Sequence, residues 1–377
     1  MARYELTIDP NYVPHWSIYD ALRELFQNAL DESSLCPLNE MEVIREGDTL
    51  KICTKNASLS KATLLIGNSS KRDDSSTIGQ EGEGYKLASL VLIRLGHNIL
   101  IHNYSEKELW TPKIINSRRF GSKLLVVDTE KYFWNTPPNY DLTFEISGIT
   151  DEIYEELQNR VLQLRDYSAD VIETDKGQIL LGEEEVGRIY VNGLYVTTIE
   201  EGYKYGYNLL PEHISLDRDR RAVNNFDLSW QTSKMWAKIE NQDLVNNLID
   251  KGYADVRYLH STLNYGDDLR VRDNTFNKFA EEHGENAIPV IDQEEMEYVQ
   301  SKYSNVSPII VNNAKHELIT NSPAYEEREH SLEESDEDDD KTPLDILTEF
   351  EEDFGGDFST LTADRFTRIL KLSEDWV

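Results

Sequence analysis

The sequence predicts an α+β protein with at least two structural parts, and three observations support this fold class. A chain of 377 residues, 39 % of them hydrophobic, is long enough to bury a core in each of two domains. Helical and strand-like patterns alternate over residues 1–150. A second β-rich stretch begins near Gly187, after a helical stretch at residues 151–167 that we place between the two parts.

The first helix is predicted from a capping signal followed by an apolar stripe. Ser17 and Asp20 have the spacing of a capping box. The apolar residues that then recur at helical spacing are Ile18, Leu22, Leu25, Phe26, Ala29 and Leu30. Glu24, Asn28 and Asp31 form a neighbouring stripe, because residues three and four apart are neighbours on a helix.

Strands are predicted where β-favouring residues cluster, at residues 50–53, 98–103, 124–128 and 142–146. The Asn-Gly pair inside Gly187–Val196 predicts a hairpin between two short strands. Mostly helical sequence follows to about Tyr303.

Part of the net charge of −33 is local, near the end of the chain, and the remainder is spread over the other residues. Residues 326–357 hold 16 acidic and 2 basic residues. Residues 320–342 are therefore predicted to be an acidic disordered linker, and residues 343–377 a helical tail. This charge opposes direct binding to nucleic acid, but it also fits an acidic surface that imitates DNA and occupies a DNA-binding protein.

The sequence gives no sign of secretion or membrane insertion. It contains no run of about 18 apolar residues and no leader pattern at its start. Cys36 and Cys53 are its two cysteines, without the spacing of a zinc site or a disulfide framework. We therefore expect a cytoplasmic protein without a membrane span.

A glycine-rich stretch precedes the second predicted helix. Gly79, Gly82 and Gly84 form the pattern G-x-x-G-x-G, and a strongly apolar segment follows at once. Glycines let backbone amides approach an anion, and the start of a helix attracts phosphate. Plain turns also contain such trios. The Walker pattern and the kinase HRD and DFG sequences are absent from the chain.

The two stretches together resemble the GHKL ATPase superfamily, which includes gyrase B subunits, large heat-shock chaperones, MutL, MORC proteins and histidine kinases. The shared features are E-x-x-x-N-A-x-D on a helix, a polar segment, and G-x-x-G-x-G before a helix. The stretch Gly67–Lys71 is most similar to the MORC-like branch and to related proteins of bacteria and phages. The resemblance covers about residues 15–150.

This resemblance implies a fold and a domain order. Residues 1–150 would form an ATP-binding α/β sandwich, with a mixed sheet covered by helices on one face. Residues 151–310 would form a smaller transducer-like α/β domain.

The resemblance also implies a site for ATP and Mg²⁺. Asn28 would place its amide oxygen on the Mg²⁺ ion, which wants oxygen ligands. Glu24 would orient and deprotonate the attacking water. Asp31 would hold a metal-bound water or face solvent.

The glycine-rich stretch would complete this site. Backbone amides around Gly79, Gly82 and Gly84 would cradle the phosphates, with Lys71 and Lys86 as nearby cations. Residues 68–78 would form a lid over the nucleotide.

The chain departs from the family where the base is normally read. The family carries D-x-G-x-G, but Thr54 or Lys55 stands where the aspartate is expected and Ala57 replaces the first glycine. Asn56 is the side chain that could bind the base instead. Thr143 corresponds to a threonine that the family places near the base.

In many relatives a basic residue of the transducer domain reaches the γ-phosphate. Arg220 is the residue we assign to this role, with Arg218 and Arg221 as alternatives. The other interpretation is that Asp217 and Asp219 pair locally with these arginines and hold a loop in place.

Two functions from different classes follow. The first is a slow Mg²⁺-dependent ATPase in which closure of the lid drives a conformational change or formation of a homodimer. The second is a non-enzymatic interaction protein, a degenerate GHKL fold whose acidic surface captures a protein that the sequence does not identify. A histidine kinase is disfavoured, because the helix of Glu24 and Asn28 lies too near the start of the chain for an upstream phosphoacceptor helix.

Overall fold

The computed structural model describes residues 1–36, 38–65, 83–131, 139–167, 170–216, 223–263, 268–303 and 305–329, together with residues 348 and 350. These residues form helices and largely antiparallel sheets, which confirms the α+β class. The chain divides into two compact units, Met1–Met235 and Trp236–Val377.

Seven strands form the main sheet of the first unit. They are β1 (Ala2–Glu5), β2 (Met41–Glu46), β3 (Thr49–Thr54), β4 (Asn98–Asn103), β5 (Glu108–Ser117), β6 (Ser122–Lys131) and β7 (Leu142–Ser147). Their order across the sheet is β1-β6-β5-β4-β7-β3-β2, and neighbouring strands are antiparallel throughout. The mixed sheet implied by the resemblance is therefore wrong here, because hairpin turns join β2 to β3 and β4 to β5 to β6, and such turns reverse the chain.

Two helices, α1 (Ile18–Leu35) and α2 (Gly84–Arg94), cover one face of this sheet. In the chain α1 lies between β1 and β2, which are the two edge strands, so it connects opposite edges of the sheet. The predicted capping box is confirmed: Asp20 N–H donates to the Ser17 side chain, and Ser17 N–H donates to the Asp20 carboxylate.

The face of the sheet that α1 and α2 cover is apolar at every second strand position. Its buried side chains are Leu50, Ile52, Ile99, Ile101, Trp110, Leu125, Val127, Leu142, Phe144 and Ile146. Leu22, Leu25 and Phe26 of α1 pack against them without solvent exposure, which confirms the predicted apolar stripe. Complete burial of each such side chain stabilises the fold by roughly 1.5–3 kcal/mol.

A five-stranded sheet follows in the same unit. Its strands are β8 (Val171–Thr174), β9 (Gly177–Leu180), β10 (Arg188–Val191), β11 (Leu194–Thr198) and β12 (Gly206–Leu209), in the order β11-β10-β12-β9-β8. β10 and β12 are parallel, and the other neighbours are antiparallel. Asn192 and Gly193, with φ of 50° and 78°, make the two-residue turn that the Asn-Gly pair predicts.

The helix α3 (Asp151–Gln158) lies between the two sheets in the chain, and it is shorter than the helix predicted over residues 151–167. Leu157, Val161 and Leu194 pack into the same core as α1 and the main sheet. The predicted domain boundary at residue 150 therefore does not coincide with a break in the packing, because apolar side chains on both sides of that residue share one core.

The first unit ends within α4 (Asn225–Trp236). The described elements of the second unit are α5 (Gln242–Lys251), α6 (Leu259–Thr262), α7 (Asp268–His283), β13 (Ala287–Val290), α8 (Gln293–Lys302), β14 (Ser307–Ile310) and α9 (Asn313–Thr320). β13 and β14 pair in parallel. A small core that includes Phe276, Phe279 and Ile319 holds α7, β13 and α9 together.

The beginning of the predicted linker, residues 320–342, is ordered. Residues 323–329 are helical, and Tyr325 is buried with its ring 5.9 Å from that of Phe276. This aromatic anchor outweighs the acidic composition of the segment. Residues 330–342 lie outside the described residues, as does the predicted tail at 343–377 apart from residues 348 and 350. In the described part of the chain, no helix is both long enough and apolar enough to span a lipid bilayer.

We predict that Leu25→Ala lowers the free energy of unfolding by about 2–5 kcal/mol, because it leaves a cavity beneath α1. Leu35→Ala, in the same helix but 42 % exposed, is the matched control, and its change should stay within about 0.5 kcal/mol. Urea unfolding followed by circular dichroism measures both. Equal effects of the two variants would contradict the packing of α1 on the sheet.

Candidate functional site

The predicted polar stripe of α1 is buried rather than solvated. Glu24 is 6 % exposed, Asp31 is fully buried, and Asn28 is half-buried. The alternative in which Asp31 faces solvent is therefore wrong. Carboxylates are rarely buried unless they have partners or a function, so the burial marks this stretch of α1 as a site worth testing.

The first turn of α2 lies directly against this stripe. A Cβ atom placed on Gly84 would lie 2.6 Å from Oε2 of Glu24 and 3.7 Å from Nδ2 of Asn28. Only glycine permits this approach without displacing the carboxylate. The structure thus brings Glu24 and Asn28 of the first motif together with Gly84, the glycine of the second motif that lies within the described residues.

Arg23 is a neighbour of Glu24 that the sequence analysis did not single out. Its Nη2 atom lies 3.5 Å from Oε1 of Glu24, and both side chains are largely buried. Adjacent residues do not normally face each other on a helix, so the sequence offers no periodic signal for this pair. The guanidinium limits the directions in which the carboxylate can turn.

Lys86 has a different role from the phosphate cation that we predicted. Its side chain is buried, and Nζ donates to the carbonyl oxygens of Thr63 and Leu65, at 2.8 and 2.6 Å. The Tyr85 hydroxyl lies 3.1 Å from Oγ1 of Thr63. Lys86 and Tyr85 therefore tie the start of α2 to the short 3-10 helix Lys61–Leu64.

Asn56 is engaged with the protein rather than presented to a base. It has a left-handed backbone (φ 52°), its Nδ2 donates to the Leu38 carbonyl at 2.8 Å, and its N–H donates to Asp141 at 2.7 Å. The contacts of Asn56 thus provide the turn after β3. Lys55 forms an ion pair with Glu40, so it does not replace the missing aspartate either.

Thr143 lies on the wrong face of the sheet for the predicted contact with a base. Its register partners are Cys53 on β3 and His102 on β4, whereas the helix-covered face carries Ile52 and Phe144. Side chains alternate between faces along a strand, so Thr143 faces away from α1 and α2. The sequence signal for this was the alternation of Leu142, Phe144 and Ile146 with polar residues, because the apolar side of a strand faces the core.

Two residues that the sequence analysis missed shape the chain after β3. Asn103, fully buried, donates through Nδ2 to the Leu59 carbonyl at 2.7 Å. The Asp141 carboxylate accepts the Asn56 N–H, and its own N–H donates to the Thr54 carbonyl at 3.1 Å. The sequence signal for these two residues was their position, because Asn103 ends β4 and Asp141 directly precedes β7.

Several predicted site residues lie outside the described residues. They are Lys71, Gly79 and Gly82, the lid at residues 68–78, and the three arginines Arg218, Arg220 and Arg221.

The described residues provide limited means of holding a metal ion. Among them, no group of three or more histidine, cysteine, aspartate or glutamate side chains could hold one. Asn28, one helical turn after Glu24, offers a single amide oxygen. This suits Mg²⁺, which keeps most of its ligands as water and phosphate oxygens and takes few from the protein.

Comparison with known proteins gives a family match to part of the chain and a similar protein. Residues 151–242 match the family described as the Mycoplasma pneumoniae MPN635 N-terminal domain. An "Uncharacterized protein" of Mycoplasma pneumoniae (strain ATCC 29342 / M129 / Subtype 1) is 29 % identical over 224 residues, which span 55 % of this chain and 86 % of that protein. The family match contains α3, the five-stranded sheet and α4, and it does not include Glu24 or Gly84.

We predict that Gly84 and Glu24 are coupled through their close approach. Gly84→Ala should destabilise the protein, because the added methyl group meets the Glu24 carboxylate. In a Glu24→Ala background the same change should be neutral or stabilising by up to about 1 kcal/mol, because alanine is the better helix former. A double-mutant cycle in urea measures the coupling, for which we expect about 0.5–3 kcal/mol. Additive effects would contradict the contact.

The pH dependence of stability gives a test of Lys86. Burial lowers the pKa of Lys86 to about 8, against the opposing attraction of Glu83. Between pH 8 and the ordinary value of 10.5, the unfolded chain holds this proton and the folded chain does not. The contribution of Lys86 to the free energy of unfolding therefore increases with pH in this window. The difference between the natural protein and Lys86→Met should rise there and stay level below it.

Lys61→Met is the matched control for this measurement. The hydrogen bond from Lys61 to Glu108 raises the pKa of Lys61 above its ordinary value. The stability that Lys61 contributes is therefore lost only at pH values above that ordinary pKa. The corresponding difference for Lys61→Met should stay level from pH 8 to 10.5. A level difference for Lys86→Met as well would show that Lys86 is not buried in the folded protein.

Proposed function

We propose that the protein is a Mg²⁺-dependent ATP-binding protein and slow ATPase of the GHKL type. The observation that carries this proposal is the approach of Gly84, the last glycine of G-x-x-G-x-G, to Glu24 and Asn28. Gly84 follows Asn28 by 56 residues in the chain, so one residue of the glycine-rich motif meets the polar stripe of α1 in the folded protein.

Each residue of this site has a chemical role in the proposal. The Asn28 amide oxygen would hold Mg²⁺, which supplies charge neutralisation for the phosphates when bound. The Glu24 carboxylate orients a water molecule and accepts its proton as the water oxygen bonds to the γ-phosphorus. The bond from the γ-phosphorus to the oxygen of ADP breaks, and phosphate leaves.

The surroundings of Glu24 fit such a role. Its position on a long capped helix fixes the backbone, and the Arg23 guanidinium 3.5 Å from Oε1 restricts the carboxylate. A general base has to be held close to one geometry to act well. Burial also keeps bulk water away from the carboxylate.

Lid closure is the proposed link between ATP and the rest of the protein. Closure of residues 68–78 over the nucleotide would change the arrangement of the following parts of the chain or favour a homodimer. Lys86 and Tyr85 hold the carbonyl and side-chain groups of residues 63–65, which lead directly into this stretch. In this proposal residues 63–65 stay fixed, and the movement of the lid begins after them.

A non-enzymatic interaction protein is the second candidate. Two observations favour it: the net charge of −33, and the engagement of Asn56 and Lys55 with Leu38 and Glu40 where the family reads the base. In this alternative the acidic surface captures a basic, DNA-binding protein, and the GHKL-like fold is a scaffold.

We predict that Glu24→Gln keeps ATP binding and loses hydrolysis by about 10²-fold or more, because it removes the general base. Asn28→Ala should weaken binding of ATP in the presence of Mg²⁺ more than in its absence. Calorimetric titration with a non-hydrolysable ATP analogue and a phosphate-release assay measure the two effects.

Glu32→Gln, on the same helix and only half-buried, is the control and should leave both unchanged. Absence of binding in the natural protein, together with capture of a DNA-binding protein that DNA displaces and ATP does not, would contradict the ATPase and favour the interaction protein.

A further inference from the structure

A cavity of about 400 Å³ lies in the first unit, between the beginning of α1, the end of α3 and β11. This volume is within the range of sites that bind small molecules. Tyr19, Asp20 and Arg23 line it from α1, Arg160 from the residues after α3, and Tyr195 from β11. These make up half of the ten lining residues, and the other half consists of His15, Ser17 and three apolar residues.

Arg160 is held in a defined position at the wall of this cavity. Its guanidinium carbon lies 4.9 Å from the centre of the Tyr19 ring and 5.7 Å from that of Tyr195. Its Nε donates to Oε1 of Glu156 at 2.7 Å, and its carbonyl accepts the Tyr195 N–H at 2.8 Å. Two aromatic faces and one carboxylate therefore fix the guanidinium before any ligand arrives.

The same guanidinium retains the donors that recognise an oxyanion. A guanidinium has five N–H donors in a planar fork. Within the described residues, the bond from Nε to Glu156 is the hydrogen bond that this group makes, so the two Nη atoms have no acceptor there. The side chain is 40 % exposed, which leaves these donors accessible. Such a fork binds phosphate or carboxylate oxygens in pairs.

The other charges of the cavity are compatible with an anion. Arg23 supplies a second guanidinium to the lining. The lining carboxylate, Asp20, already accepts hydrogen bonds from the N–H and the hydroxyl of Ser17, both at 2.8 Å. Arg160 and Arg23 are also paired with Glu156 and Glu24, which do not line the cavity, so the lining itself carries two arginines and one capped carboxylate.

We propose that this cavity binds a small organic molecule bearing a phosphate or carboxylate group, with Arg160 as its main anchor. This site adjoins the one at Glu24 and Asn28 through Arg23, whose Nη2 lies 3.5 Å from Oε1 of Glu24, but it does not rest on the ATPase proposal.

Calorimetric titration of the full chain with phenyl phosphate and with benzoate tests the proposal, because the two probes share a ring and differ in the oxyanion. We expect saturable 1:1 binding of at least one, and the tighter of the two identifies the anionic group. Arg160→Met should weaken that binding about tenfold or more, the usual effect of losing a charged hydrogen bond. Arg160→Lys keeps the charge without the fork and should lose less.

Two further variants make the result specific. Arg188 also lies over the Tyr195 ring, at 5.2 Å, but does not line the cavity, so Arg188→Met should bind as the natural protein does. Asn28→Ala should also leave binding unchanged. No saturable binding of either probe would overturn the proposal. Loss of binding in Asn28→Ala with retention in Arg160→Met would overturn it too, since the anion would then occupy the other site.

Discussion

The close approach of Gly84 to the middle of α1 is the contact on which the rest of the first unit depends. With no side chain at that position, the first turn of α2 reaches Glu24 and Asn28. The two helices then lie together over one face of the seven-stranded sheet and share its apolar core. Any larger residue would have to displace a buried carboxylate, which is costly in a closely packed interior.

Polar groups near this contact are buried with specific partners rather than left to solvent. Lys86 donates to two carbonyl groups, and Asn103 holds the backbone of Leu59. Such networks make a unique arrangement of the chain, because an unsatisfied buried group costs more than a hydrogen bond returns. They also assign to the scaffold two side chains, those of Lys86 and Asn56, that a sequence pattern alone assigns to a ligand.

Local patterns predicted several elements well and missed others for a clear reason. The capping box of α1, the hairpin at Asn192, and strands β3, β4, β6 and β7 follow from neighbouring residues. β1 and β2 are edge strands with many charges, so their alternation is weak. β5 contains Pro112, which normally argues against a central strand; at this residue β5 pairs with β6 and its pairing with β4 has ended at Trp110.

The sequence by itself determined the polar stripe of Glu24, Asn28 and Asp31, the glycines at the start of α2, and the net charge of the chain. These depend on spacing along the chain, and helical and strand periods are fixed by backbone geometry. Only the tertiary structure decided that Lys86 binds carbonyl groups and that Arg160 is held beside a cavity. Each of these is a contact between residues distant in the chain, and packing of the whole unit selects such contacts.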